Sequence, residues 1–277
     1  MEFLRSALSF AWLEVKALQF YPVNGVLQVV QSFVNVGIWF FVSLFLQEYA
    51  QDRLDAYGGD FVAYVVVGVL FFQNSSAILN LPHQSLSTAF WDKRLEVYHA
   101  RRYGLWAFLV GRFLWAFVYQ SLVLVLILAA ALNFTGIRLS PDAPLLVAAL
   151  FYVVFVFTCF GIGLVGAGNF FTLEVKQGRE PVAWLADVLA RIFSGVYYPV
   201  AILPAALHGV AWLLPHTHAL EGIRRVMIGG AGFADPLVAR SFGVLLLFCA
   251  LSLAGGIFLL SRAIDRAEAG NGVGMVV

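Results

Sequence analysis

Long runs of apolar residues, separated by short polar segments, cover most of the chain. A helix needs about 20 mostly apolar residues to cross the hydrocarbon core of a bilayer. Six runs reach this length, at residues 25–46, 61–81, 105–132, 144–173, 182–204 and 238–260. The stretch at 205–215 is only about half as long, which predicts re-entrant or interfacial helices between the fifth and sixth runs. The pattern predicts an all-α polytopic membrane protein with six transmembrane helices.

The first 21 residues follow a different pattern, with apolar residues at helical spacing and polar residues largely between them. This pattern is typical of an amphipathic helix that lies in the membrane interface. Pro22 and Gly25 predict its end, and the glycine-rich residues 269–277 predict a flexible tail. We expect the whole chain, residues 1–277, to form one membrane domain. The apolar positions of the first helix are Leu4, Leu8, Ala11, Trp12, Val15 and Leu18.

Composition agrees with a membrane protein. Hydrophobic residues make up 61% of the chain and charged residues 12%, with a mean hydropathy of +0.87. Soluble proteins have about 25% charged residues, so the composition excludes a soluble globular enzyme. The net charge of +1 gives no electrostatic reason to expect a nucleic-acid partner. Both cysteines, Cys159 and Cys249, lie inside apolar runs, where we expect them to pack as small hydrophobic residues.

The distribution of basic residues predicts the orientation, because cytoplasmic loops carry more Lys and Arg than outer loops. With the N-terminus inside, the outer segments hold Arg53, Arg138, Arg224, Arg225 and Arg240. We therefore expect both termini to be cytoplasmic in a multi-pass protein of the cell (inner) membrane. The inner segments hold twice as many basic residues: Arg5, Lys16, Lys93, Arg94, Arg101, Arg102, Lys176, Arg179, Arg262 and Arg266.

The largest inner segment, residues 83–104, combines charges of both signs with aromatic and aliphatic residues. Its core, residues 89–104, has no glycine or proline before Gly104, which predicts a short helix with an apolar stripe. One interpretation is a solvated loop that simply follows the positive-inside rule. The other is a helix that docks on a cytoplasmic partner through an apolar contact with a charged rim.

The segment after the fifth run is rich in helix-breaking residues. Pro199, Pro204 and Pro215 lie within Ser194–Gly230, and each proline lacks an N–H and clashes with the preceding helical turn. The chain must therefore leave the fifth run, follow or enter the outer membrane surface, and turn back. We expect residues 205–237 to form an outer re-entrant region.

These two segments resemble permeases of the type-2 ABC export family. The sequence SGVYYP, residues 194–199, is similar to a Ser-Gly-aromatic-aromatic-Pro segment that precedes two short outer helices in that family. KRLEVYHARRYGLWAFLVGRFLWA, residues 93–116, is similar to its coupling helix and entry into the third span. The resemblance implies a dimer, which we expect to be a homodimer, with two separate ATPase subunits that bind ATP and Mg. The implied coupling residues are Asp92, Arg94, Leu95, Tyr98, Arg101, Arg102 and, in the next inner loop, Glu174.

The sequence contains no nucleotide site of its own. A Walker-A loop ends in Lys-Ser or Lys-Thr, whereas Lys16, Lys93 and Lys176 are followed by Ala, Arg and Gln. The GIGLVG sequence at 161–166 fits a dinucleotide-binding pattern but lies within an apolar run, where glycines favour close helix packing. We therefore expect a permease subunit that is not itself an enzyme.

Polar residues within the apolar runs are candidates for a pore or gate. Gln28, Gln31 and Asn35 share one helical face, and Gln73, Ser76 and Asn80 share another. Each stripe can line a pore or hydrogen-bond to a neighbouring helix. In the fifth run, Asp187 and Arg191 are spaced i, i+4, which suits a structural ion pair or a gate at the inner mouth.

The leading hypothesis is the permease of an ATP-driven exporter for an amphiphilic, drug-like or lipid-linked substrate. One alternative is an ion-coupled carrier or channel that uses Asp187, which requires an acid without a nearby counter-charge. Another is an intramembrane lipid enzyme, for which no constellation of His, Asp or Ser stands out. His216 and His218 alone make a weak case for a metal ligand set, so we expect no metal.

Overall fold

The computed structural model describes residues 2–50, 60–100, 104–173, 176–178 and 180–270. Its regular elements in these ranges are helical. One of them is a 3₁₀ turn at Val200–Ile202. The helices are α1 Glu2–Phe20, α2 Pro22–Ala50, α3 Phe61–Trp91, α4 Leu95–His99, α5 Gly104–Phe134, α6 Leu145–Ala167, α7 Asn169–Thr172, α8 Pro181–Phe193, α9 Ala205–Trp212, α10 Pro215–Met227 and α11 Pro236–Gly270.

The prediction of an all-α polytopic membrane protein is confirmed. Within the described ranges, five helical segments are long and apolar enough to cross a bilayer. Helices satisfy their own backbone hydrogen bonds, which makes them suitable for a medium without water. The five segments are Pro22–Gln47, Phe61–Trp91, Gly104–Phe134, Leu145–Thr172 and Pro236–Ala267.

The predicted fifth transmembrane helix, residues 182–204, is not one helix. Helix α8 has 13 residues and ends at Phe193, so it is about 20 Å long, shorter than the core of a bilayer. Gly195 follows with φ +70°, a left-handed conformation that glycine adopts without strain. Beyond the 3₁₀ turn, Pro204 precedes the short helix α9. The helix ends earlier than hydropathy predicts. The prediction placed its end too late because the apolar run continues to residue 204, beyond the last helical residue.

The inner segment also differs from the prediction. Helix α3 continues past the expected boundary at residue 81, with Pro82 inside it, and ends only at Trp91. The short helix expected around 92–102 is α4, which has five residues. A turn with Lys93 at φ 56° separates the two helices. Residues 83–91 therefore form a rigid extension of a membrane span rather than a loop.

Helix α3 is the centre of the bundle, with most of its side chains buried. It packs against α2, α5, α6 and α10, and α6 packs extensively against α11. The glycines of α6 allow these close contacts: Gly161 lies against the α11 backbone at Ser252, and Gly163 against Leu79 and Pro82 of α3. The prediction that the GIGLVG sequence serves helix packing is confirmed.

Helix α1 buries one face against the bundle and exposes another, apolar face. Ala7 is fully buried and lies against Gly111 of α5, whereas Leu4, Leu8 and Trp12 are exposed. An exposed apolar face on a helix with charges elsewhere is typical of a helix in the membrane interface. The helix predicted over residues 1–21 corresponds to α1, Glu2–Phe20. The expected tail overlaps α11 at residues 269 and 270, and residues 271–277 lie outside the described ranges.

Candidate functional site

The turn between α3 and α4 and the outward face of α4 form a charged surface with two apolar side chains. We define this α4 surface as Trp91, Asp92, Lys93, Arg94, Glu96 and Val97, all exposed. Trp91 is 58% exposed and Val97 52% exposed. Arg94 Nη1 and Asp92 Oδ2 are 3.9 Å apart, an exposed pair that contributes little to stability. Apolar groups surrounded by charges are the composition of a protein–protein contact.

Leu95 and Tyr98 face the opposite way and attach α4 to the bundle. Leu95 is only 2% exposed. The Tyr98 ring lies 5.2 Å from the Phe10 ring of α1 and 4.7 Å from the Phe108 ring of α5, measured between centroids. We expected both residues to contact a partner, whereas in the fold they face the bundle and Val97 is the exposed apolar residue of α4. Sequence periodicity missed Val97 because a five-residue helix with apolar residues on both faces has no distinguishable stripe.

The loop between α7 and α8 is bound to the end of α3 beside the α4 surface. The Lys176 carbonyl oxygen accepts hydrogen bonds from Ser87 Oγ at 2.7 Å and from Trp91 Nε1 at 3.2 Å. The Lys176 ammonium lies 4.9 Å from the centre of the Phe90 ring, a cation–π distance. Three coupling residues expected from the sequence, Arg101, Arg102 and Glu174, lie outside the described residues.

Glu180 links this loop to α8, a role that the sequence analysis did not identify. Its buried carboxylate accepts hydrogen bonds from the backbone N–H groups of Val182 and Ala183 and from Asn169 Nδ2. A carboxylate at a helix N-terminus satisfies otherwise unpaired N–H groups and interacts favourably with the helix dipole. The signal was available in the sequence, since a glutamate directly precedes Pro181, and proline favours the first helical position.

Asp187 and Arg191 lie in a polar cleft of about 210 Å³ between α3 and α8. Arg191 Nε donates to Asp187 Oδ2 at 2.9 Å, and Ser76 Oγ donates to Asp187 Oδ1 at 2.5 Å. Asn80 also lines the cleft, and its Nδ2 donates to the Ser76 carbonyl oxygen one turn earlier on α3. The predicted i, i+4 ion pair is therefore present. The cleft combines a paired acid, a half-exposed guanidinium and neutral donors, so it can bind polar groups.

The remaining candidate pore residues have different environments. Asn35 Nδ2 donates to Gln73 Oε1 at 2.9 Å, and Gln73 Nε2 donates to Ser32 Oγ at 2.6 Å. These bonds join α2 to α3, which is the interhelical alternative considered from the sequence. Gln28 and Gln31 are exposed on α2, so the structure does not bring the first stripe together as one lining surface.

At the other end of α3, Arg224 joins three elements. Its side chain is 1% exposed. Its Nε donates to the Tyr64 carbonyl at 3.1 Å, Nη1 to the Gly195 carbonyl at 2.7 Å and Nη2 to the Val196 carbonyl at 2.9 Å. The guanidinium carbon also lies 3.6 Å from the centre of the Tyr64 ring. We call this arrangement the Arg224 junction. It fixes the break after α8 to the first turn of α3 and to α10.

The Arg224 junction and the α4 surface lie at opposite ends of the same helix. Tyr64 and Trp91 are near the two ends of α3, so about 40 Å of helix separates them. In the described part of the chain, no group of three or more His, Cys, Asp or Glu residues could hold a metal ion. The arrangement is a contact surface, a polar cleft and a distant junction along one buried helix.

Comparison with known proteins agrees with this arrangement. Residues 9–228 match the family model of the ABC-2 type transporter. The chain is also similar to the linearmycin resistance permease protein LnrN of Bacillus subtilis (strain 168), with 30% identity over 118 residues. That region is 43% of this chain, and it covers only 28% of the length of the relative. Because the family model spans most of the sequence, the chain belongs to the ABC-2 type transporter family of membrane transport subunits.

Proposed function

We propose that this chain is the permease subunit of an ATP-driven exporter that moves an amphiphilic, drug-like or lipid-linked substrate out of the cytoplasm. A separate ATPase subunit binds ATP and Mg and supplies the energy. Two copies of this chain form the membrane part, with two ATPase subunits beneath them. The protein lies in the cell (inner) membrane with both termini in the cytoplasm.

The observation that carries this proposal is the α4 surface in a chain of the ABC-2 family. Residues 1–277 include no phosphate-binding loop, and in this proposal the force from ATP arrives through a contact with the ATPase subunit. The α4 surface offers two exposed apolar side chains, Trp91 and Val97, in a charged rim. It is the direct continuation of α3, and Tyr98 connects it to α1 and α5 through aromatic contacts. A displacement of α4 is therefore transmitted to three helices.

The polar cleft fits the start of an export path. It opens next to Glu180 and Gly178, close to the loop that is bound to the α4 surface, so a movement of that loop changes the mouth of the cleft. The Arg224 junction lies at the far end of α3, where a substrate must leave. The ion-coupled alternative requires an isolated acid, whereas Asp187 has Arg191 at 2.9 Å. This geometry favours the exporter.

The test uses Val97→Glu in the full complex with an ATPase subunit. The ATPase is the one whose gene lies nearest to the gene of this chain. Because Val97 is exposed, the substitution should leave membrane insertion and thermal stability unchanged. A buried charge in an interface costs several kcal/mol, which is about a hundredfold or more in affinity. We expect loss of ATPase co-purification and of transport, whereas Val97→Thr, which has nearly the same volume, should retain both. If Val97→Glu retains the ATPase and full transport, the proposed coupling surface is wrong.

A further inference from the structure

A second cleft, separate from the polar cleft, lies where α1, α2 and α5 meet. Its volume is about 220 Å³. Residues from all three helices and from the turn between α1 and α2 line it. The charged, polar and aromatic side chains that line the cleft are those of Glu14, Tyr21, Asn24, Gln28, Trp115 and Tyr119.

The position of this cleft, between an interface-type helix and the start of a spanning helix, is the position expected for the level of the lipid headgroups. Helix α1 exposes an apolar face with Leu4, Leu8 and Trp12, which suits a helix lying in the membrane interface. Helix α2 begins directly after it, at Pro22, and is long and apolar enough to cross the bilayer. The cleft lies between the two, so it faces the boundary between acyl chains and water. Tryptophan and tyrosine side chains are enriched at this depth.

The cleft is held in shape by internal contacts. Tyr119 Oη donates to the Gly25 carbonyl oxygen at 2.9 Å, which fixes the Tyr119 ring between α5 and the first turn of α2. The Trp115 ring lies one turn away, with its centroid 5.9 Å from that of Tyr119. A Cβ atom at Gly25 would clash with the end of the Leu18 side chain of α1, so this side chain lies directly against the α2 backbone. A preformed cleft loses little entropy when a ligand binds.

The charged groups at the cleft are one acid and one neighbouring base. Glu14 lines the cleft with its side chain 28% exposed, and Arg112 Nε lies 3.6 Å from Glu14 Oε1. A carboxylate beside aromatic faces is an environment for a cation. The Arg112 guanidinium beside Glu14, and the Asn24 and Gln28 amides that line the cleft, suit a phosphate oxygen. The two charges therefore complement a ligand that is itself a zwitterion.

We propose that this cleft binds the zwitterionic headgroup of a phospholipid that carries a primary ammonium, such as phosphatidylethanolamine. The ammonium contacts Glu14 beside the Trp115 and Tyr119 rings, and the phosphate lies toward Arg112 and the two amides. The bilayer presents this group at the depth of the cleft, so no entry path is needed. The bound lipid fastens α1 to α5, the two helices that Tyr98 contacts. This site does not depend on the identity of the exported substrate.

The proposal is tested with the purified full chain in neutral detergent, by native mass spectrometry with short-chain phospholipids. The wild-type protein should retain dihexanoyl phosphatidylethanolamine about tenfold more tightly than dihexanoyl phosphatidylglycerol, since the glycerol headgroup has no ammonium to pair with Glu14. Glycerophosphoethanolamine, which has the same headgroup without acyl chains, should compete poorly. Equal retention of the two lipids, or equal competition by the chain-free headgroup, would overturn the proposal.

Glu14→Gln is the informative variant, because it removes the carboxylate from the cleft and leaves the neighbouring Arg112 without this partner. We expect it to reverse the preference, so that the anionic phosphatidylglycerol is retained more tightly than phosphatidylethanolamine. If Glu14 had a purely structural role, the substitution would weaken the retention of both lipids equally. Glu2→Gln, on the exposed start of the same helix, should leave the preference unchanged. If Glu14→Gln keeps the wild-type preference, the cleft does not recognise the headgroup.

A second pair of variants keeps the proposal testable if Glu14→Gln does not fold. Trp115→Leu removes one aromatic wall of the cleft and should lower the retention of phosphatidylethanolamine about tenfold. Trp12→Leu removes an exposed tryptophan of α1 outside the cleft and should change this retention little. Equal losses in the two variants would indicate general contact with the bilayer and would contradict a specific site.

Discussion

Replacing Arg224 with methionine should loosen the junction at the far end of α3. Methionine retains most of the side-chain length but has no donors, so three hydrogen bonds to backbone carbonyls are lost. The cation–π contact with the Tyr64 ring is lost with them. The affected carbonyls belong to α3 and to the break after α8. These elements are distant along the chain, so the substitution removes contacts that hold them together in the fold.

The magnitude follows from the chemistry of these bonds. A hydrogen bond from a charged donor contributes about 1.5–3 kcal/mol, which gives a gross loss of roughly 5–9 kcal/mol. Removal of the charge also removes the desolvation penalty of a buried ion, about several kcal/mol. The Gly195 carbonyl keeps one donor, because Tyr64 Oη also bonds to it at 3.0 Å. We expect a net loss of about 2–4 kcal/mol in the free energy of unfolding.

Thermal unfolding and hydrogen exchange of the full chain in detergent test this reasoning. The melting temperature of Arg224→Met should fall by about 5–10 °C, and amides in residues 194–199 should exchange faster. Tyr64→Phe removes the hydrogen bond from Tyr64 Oη to the Gly195 carbonyl and should cost only about 1 kcal/mol. Arg240→Met, at an exposed arginine of α11, should change neither measurement. If Arg224→Met melts at the wild-type temperature with unchanged exchange at 194–199, the junction does not stabilise the break.

The purified chain alone should neither bind nor hydrolyse ATP, since it lacks a Walker-A loop; saturable nucleotide binding would contradict this. A cysteine that replaces Asp55 should react with an impermeant thiol reagent from outside intact cells, and labelling only after permeabilisation would reverse the orientation. A double-mutant cycle of Asp187 and Arg191 should give a coupling of about 0.5–1 kcal/mol, because the arginine side chain is 49% exposed and solvent screens the pair; a coupling above about 3 kcal/mol would indicate a desolvated pair. Leu95→Ala should cost about 2–5 kcal/mol as a cavity in the packing of α4, and a variant as stable as wild type would contradict its burial.

Hydropathy along the chain was sufficient to predict the main architecture. The runs that became α2, α3, α5, α6 and α11 were predicted because a spanning helix must be apolar over its whole length, whatever its neighbours are. The amphipathic helix α1 followed from spacing alone. The Asp187–Arg191 ion pair followed for the same reason, since residues four apart lie on one face of any α-helix.

The sequence could not predict where the fifth run stops being helical. Residues 182–204 remain apolar after Phe193, and hydropathy does not register a change of backbone conformation. The left-handed turn at Gly195 is stabilised by donors from Tyr64 and Arg224, which are distant in sequence. The outcome was therefore decided by tertiary contacts.

The direction in which α4 faces was also decided by tertiary structure. Leu95 and Val97 are both apolar, and only the packing of α4 against α5 makes one buried and the other exposed. Arg224 shows the same limit more clearly. In the sequence it is one of five basic residues assigned to outer segments, whereas in the fold it lies beside a carbonyl 160 residues away. Periodicity reports which residues share a face of one helix, but the partner of that face depends on how separate helices pack.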